Sequence, residues 1–227
     1  MSRGASRWFY VGMAIAILVA ELAGFSRSYR ERVAGGYVLS PVATMHVVLF
    51  AGWIVIFCAQ TGLIATRRVH VHRRLGVVAA VWATTMVLTG PPLAVDLARR
   101  GLPTGTDPLV FLLVILVDLL VFGVFVAAGV LARRQPETHK RFMLLAMMSL
   151  LPPGIGRWAI AERNPAPVVM VALIVFLAAP LVADRLSRRR INRVSLWGGI
   201  VLLASIPVRF AVGQTAMWRD VARWLTR

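Results

Sequence analysis

Cysteine is nearly missing from this chain. Cys58 is the only one, so no disulfide closes within the chain and no Cys-x-x-Cys metal or redox motif exists. It lies inside an apolar run and reads as a small packing residue. Lysine is equally scarce: Lys140 is the only one among 26 basic residues, a pattern associated with GC-rich bacterial coding. Acidic residues number nine, and charged residues make up 15% of the chain, against roughly a quarter in soluble domains. That shortage excludes an ordinary soluble globular protein. No phosphate-binding glycine loop, zincin helix, Ser-His-Asp arrangement or nucleophile elbow occurs, which argues against hydrolases and ATP-driven pumps.

What is abundant is apolar sequence: 59% of the 227 residues, gathered in runs of about 17 to 24, the length of a helix crossing a bilayer. Seven helices are expected, at about residues 8–24, 42–65, 74–95, 109–131, 142–160, 167–183 and 195–213. The fold class is an all-α membrane bundle, one integral membrane domain over residues 1–227. The N-terminus has basic residues before its apolar run but no small-x-small cleavage site, so it reads as an uncleaved first helix; cleavage would leave six. Gly90-Pro91-Pro92 is expected to end helix three, Pro152-Pro153-Gly154 to break helix five, and Pro207 to lie inside helix seven. The formal net charge of +17 does not point to nucleic acid, because the arginines fall between apolar runs, where they meet lipid headgroups and set topology. The N-terminus and the loops 2–3, 4–5 and 6–7 hold fifteen of the 26 lysines and arginines. That side should be cytoplasmic, which puts the C-terminus outside a bacterial inner membrane. The tail, residues 215–227, is amphipathic at helical spacing: Met217, Trp218, Val221, Trp224 and Leu225 on one face, Arg219, Asp220, Arg223 and Arg227 on the other. It reads as a helix lying in the outer interface. The lipid bilayer is the one partner implied; a membrane-protein partner or a second copy is left open.

The stretch Arg67 to Gly76, RRVHVHRRLG, sets two histidines among four arginines. It has an echo. Arg67-Arg68, then His72-Arg73-Arg74, recurs as Arg133-Arg134, then His139-Lys140-Arg141, and both stretches join two apolar runs. Helices two to five therefore read as one hairpin used twice in parallel, residues 42–95 and 109–160. His72 and His139 would then begin helices three and five at equal depth and could face each other. Two neutral imidazoles are what a b-type haem takes axially, with Arg73 and Arg141 placed for its propionates. A bare metal ion would want His70 as a third ligand beside His72 and His139. The ordinary alternative for each is a solvated histidine at the lipid phosphates. His46 lies near the outer end of helix two, about 30 Å from the inner face at 1.5 Å per residue. It cannot share an ion with His72, and reads as a separate outer site, part of a proton path, or a structural hydrogen bond.

Among intramembrane polar groups, Asp118 near the middle of helix four is the sharpest anomaly. A carboxylate there is costly unless paired, protonated or facing a cavity. It is either a proton relay or cation site, or a structural contact with Gln60, Thr84, Thr85 or Ser149. Glu21 is expected to reach the interface. Arg157 and Arg209 are expected to snorkel outward, Arg157 with Asp96 or Glu162 as alternative partners.

His46, His72-Arg73-Arg74-Leu75-Gly76, His139-Lys140-Arg141-Phe142-Met143 and Arg157 together resemble a family of bacterial multi-pass membrane proteins known as a domain of unknown function. The resemblance covers about residues 42–160 and implies that His46, His72 and His139 are family features, without bringing an activity. There is a looser similarity to haem-binding four-helix cytochromes of the b561 kind, whose histidines are paired on both sides; this chain has one outer histidine. Three functional readings follow: a haem- or metal-binding redox or assembly protein using His72 and His139, a proton-coupled transporter using Asp118 and His46, and a non-catalytic scaffold or accessory subunit.

Overall fold

The computed structural model describes residues 3–36, 41–101, 107–158 and 165–227. These residues form helices and turns, with no strand among them. In chain order the helices are α1 (Arg3–Ala34), α2 (Pro41–Ala65), α3 (Val69–Arg100), α4 (Pro108–Leu131), α5 (Pro136–Ser149), α6 (Pro152–Ile155), α7 (Pro165–Arg188), α8 (Arg193–Gly213) and α9 (Ala216–Leu225). Six of them, α1 to α4, α7 and α8, are long and apolar enough to cross a membrane. Their outward faces carry large apolar side chains: Leu88, Leu131 and Leu186 are 70%, 78% and 78% exposed. Such a surface is stable only against lipid tails. The chain is a multi-pass membrane protein.

Two helices outrun the apolar segments that define them. α1 does not stop near residue 24 but continues through a polar stretch to Ala34. There Arg27 Nε donates to Glu31 at 2.8 Å and Arg30 Nε to the Ser26 carbonyl at 3.3 Å. Nothing in that stretch breaks a helix until Gly35 and Gly36, where Gly36 takes φ +73°. α3 starts at Val69, so His70 and His72 are on the helix, and it runs through Pro91 and Pro92 to Arg100. The two missing N–H donors are tolerated where neighbouring helices support the chain, and the turn comes at Gly101, φ +63°.

α5 and α6 show the break expected at Pro152-Pro153, but they begin earlier than residue 142, at Pro136, a residue preorganised for a first helical turn. The expected end at residue 160 lies outside the described residues. Pro152 and Pro153 cannot donate to the carbonyls four residues back. The Leu150 and Leu151 amides tighten instead onto Met147 and Met148, at 3.3 and 3.2 Å. Six consecutive residues of α5, Leu144 to Ser149, are buried, so this short helix is enclosed on all sides, packed among α4, α8, α1 and α7. Close by, Trp53 of α2 meets Phe122 of α4 edge-on at 5.2 Å.

α1 crosses α6 backbone to backbone. A Cβ added at Gly24 would run into the Gly154 carbonyl oxygen, whereas one at Gly12 would meet nothing within 4 Å. Gly24→Ala should therefore cost about 1–3 kcal/mol, read as a lower unfolding temperature in detergent, while Gly12→Ala changes nothing beyond propensity.

α9 docks on the end of the bundle where α3 finishes and α4 starts. Trp218 Nε1 donates to the Leu109 carbonyl at 2.8 Å, Arg219 pairs with Asp107 at 2.9 Å, and Arg99 donates to the Arg227 carbonyl at 2.6 Å. The single apolar face expected of the tail is thus divided. Trp218 and buried Ala222 turn to the protein, while Met217, Val221 and Trp224 face outward.

Candidate functional site

The basic turns meet at one end of the bundle. The Lys140 ammonium lies over the Tyr10 ring at 5.0 Å, which brings the start of α1 to the α4–α5 turn. Arg141 reaches Asp184 near the end of α7. Between these contacts lie His72 and His139, with ring centroids 6.2 Å apart and ring planes at 83°. The doubled hairpin explains the meeting: each histidine is the fourth residue of its helix, His72 on α3 and His139 on α5.

Each ring is also held by the partner helix of its own hairpin. His139 Nδ1 lies 2.7 Å from the Gly129 carbonyl of α4. A carbonyl only accepts, so Nδ1 carries the proton and Nε2 keeps its lone pair. His72 is held by Gln60 of α2. With its amide turned so that both ends are satisfied, Gln60 donates to His72 Nδ1 at 2.5 Å and accepts the Gly76 N–H at 3.0 Å. Nε2 of His139 is then free to accept or ligate, whereas Nε2 of the neutral His72 ring carries its proton. Gly76 and Gly129, which have no side chains, lie against these partners: a Cβ at Gly76 would meet the Gln60 amide at 3.6 Å, and one at Gly129 would meet the end of Met143.

The other expected members of this site fall elsewhere. His70 is exposed, and no group of three histidine, cysteine or acidic side chains suited to a metal ion occurs among the described residues. Arg141 does not point to a cofactor. It is 3% exposed and bonded to Asp184 and to Glu137, so it staples α5 to α7. Asp184 also accepts the Asn192 amide at 3.2 Å. Arg73 stands exposed one residue past His72. Asp184→Ala should lower stability by about 1.5–3 kcal/mol, the range for a hydrogen bond to a charged group, since Glu137 still neutralises Arg141; thermal unfolding in detergent measures it.

Asp118 has a partner that the sequence reading did not assign. It pairs with Arg209 of α8, which does not snorkel but is 3% exposed. Arg209 also donates to the Ser205 carbonyl at 3.1 Å and to Ser205 Oγ at 2.7 Å. The four expected partners of Asp118 are engaged elsewhere: Gln60 with His72, Thr84 with the Ala80 carbonyl, Thr85 with that of Val81, Ser149 with that of Ala146. Charges 91 residues apart in sequence leave no local signal; the sign and depth of both anomalies were the only hint.

Glu21, His46 and Arg157 lie towards the opposite end of the bundle. Arg157 donates to the Pro153 carbonyl and covers the Phe25 ring at 4.7 Å. Asp96, one expected partner, pairs with Arg100; Glu162, the other, lies outside the described residues. Glu21 does not reach the interface and is 5% exposed.

Comparison of the chain with family models, curated proteins and solved structures returns no match.

Proposed function

We propose that this protein holds one transition-metal centre between His72 and His139 and serves in electron transfer or in assembly of such a centre. The observation that carries this reading is the spacing of the pair. The ring centroids are 6.2 Å apart, close enough for both imidazoles to reach one metal atom at about 2 Å each. The Gly129 carbonyl on His139 Nδ1 is the outer partner that ligating histidines ordinarily have. Among the described residues no third histidine, cysteine or acidic group joins the pair, so haem iron, which would take two protein ligands, suits the residues better than a bare ion. Exposed Arg73 and Arg74 follow His72 on α3, where anionic propionates would be met. When bound, such an iron supplies one-electron chemistry. His72 must first move its proton from Nε2 to Nδ1, and the Gln60 amide turns over to accept it.

Asp118, the midplane carboxylate of the transporter reading, is paired with Arg209, which favours a structural contact there over a proton relay. In the proposed topology α5 and α6 together make a seventh crossing. His139 at the start of α5 sits beside His72, and Trp158 just past α6 donates to the Ala20 carbonyl at 3.0 Å, towards the far end of the apolar part of α1. The arginine-rich end, with the histidine pair, faces the cytoplasm of a bacterial inner membrane. The resemblance to the bacterial multi-pass family agrees with His72 and His139 acting as a unit.

The test is the visible spectrum of detergent-purified protein from haem-replete cells, before and after dithionite, with elemental analysis of the same sample. A Soret band that shifts on reduction supports haem iron. A flat spectrum with stoichiometric metal supports a bare ion. A flat spectrum with no metal in the sample overturns the proposal.

A further inference from the structure

We infer that Glu21 is a proton-binding site set against the break between α5 and α6, at the end of the bundle opposite the histidine pair. The Glu21 carboxyl lies on Gly154: a Cβ there would run into Oε2, Cδ and Oε1 together. Gly24, one turn on, lets the α6 backbone come close enough to make that contact. Two glycines, one on each element, thus form a slot fitted to a carboxyl group.

The slot supplies no donor to Oε1, which is buried without a hydrogen-bond partner. Close by, Trp158 Nε1 donates to the Ala20 carbonyl and one Arg157 nitrogen donates to that of Pro153. An anion so placed is far less stable than a neutral carboxyl, so Glu21 holds its proton in this arrangement. Of the described charged groups, Arg157, on the turn after α6, lies beside this part of α1, over the Phe25 ring; His46 of α2 packs on the Phe50 ring at 4.0 Å. α5 and α7 carry their described ionisable residues at the other end of the bundle.

Release of the proton breaks the Glu21 O–H bond and passes the proton to water. The carboxylate left behind is stabilised by the Arg157 cation on the turn after α6. The transfer conserves net charge and needs no co-reactant.

The test is infrared titration of the full chain in phospholipid vesicles, from about pH 5 to about pH 10, with glutamate labelled at its side-chain carbonyl with carbon-13. The label separates glutamate from the buried Asp118 and Asp184. Expected is a label-shifted band of a protonated carboxyl at neutral pH, which disappears reversibly on raising pH and is missing from Glu21→Gln. Should Glu21→Gln fail to fold, Arg157→Gln replaces it and must move the midpoint to higher pH by removing the cation. No labelled band at neutral pH, a band unchanged to the alkaline limit, or a band kept in Glu21→Gln would overturn the inference. These outcomes do not depend on whether the histidine pair binds metal.

Discussion

Asp118→Ala should destabilise this protein by about 3–5 kcal/mol, the range for removing one partner of a buried ion pair. The loss is large because the residue left behind is a charge. Arg209 is almost fully enclosed by α4 and α8, and the two Ser205 oxygens satisfy its hydrogen bonds without neutralising it. The double variant Asp118→Leu with Arg209→Met should recover most of the loss, because two apolar side chains of similar volume leave nothing unpaired. Thermal unfolding in a single detergent, on both single variants and the double, measures the coupling. A double variant as unstable as the sum of the singles would mean that the pair is not the source of the effect.

His139→Ala and His72→Ala should each lower metal affinity by more than 100-fold. Loss of an outer-sphere partner alone typically costs about 10–100-fold, and in the proposed site these substitutions would remove a ligand outright. Gln60→Ala should fall inside that smaller range, since it leaves the His72 ring in place but unoriented. His70→Ala should have no effect, because His70 is exposed and outside the pair. Titration of metal-free protein with haem, followed at the Soret band, reads all four. Equal affinity in wild type and His139→Ala would show that any bound metal sits elsewhere.

Membrane class, six of the seven expected spans and the place of the histidines were legible from residue order because each rests on local pattern. Apolar run length marks the spans. The repeated Arg-Arg…His-basic pattern put His72 and His139 at matching positions, and the fold brings them together. Where sequence reading went astray, the deciding physics was either absent from the run or distant along the chain. Hydropathy ends α1 near residue 24, but backbone hydrogen bonds and an Arg27–Glu31 pair carry the helix on in a polar stretch. Prolines suggested an end to α3 that packing overrides. Arg141 looked like a cofactor ligand from its neighbour His139, yet its direction is set by Asp184, 43 residues away. Glu21 looked able to reach water because its depth was judged along one helix. The α6 backbone covers it only because the chain returns there more than a hundred residues later.

The Asp118–Arg209 pair bears on how the protein sits in an energised membrane. A full elementary charge carried across the bilayer couples to the transmembrane voltage by about 2.3 kcal/mol per 100 mV. Opposite charges side by side at one depth nearly cancel that coupling, so the native bundle holds two ionisable groups inside the field while remaining almost indifferent to it. Asp118→Ala would strand Arg209 as a lone cation part-way through the drop, worth about 1 kcal/mol per 100 mV at mid-depth. The stability of that variant would then follow the membrane potential, which detergent cannot reproduce.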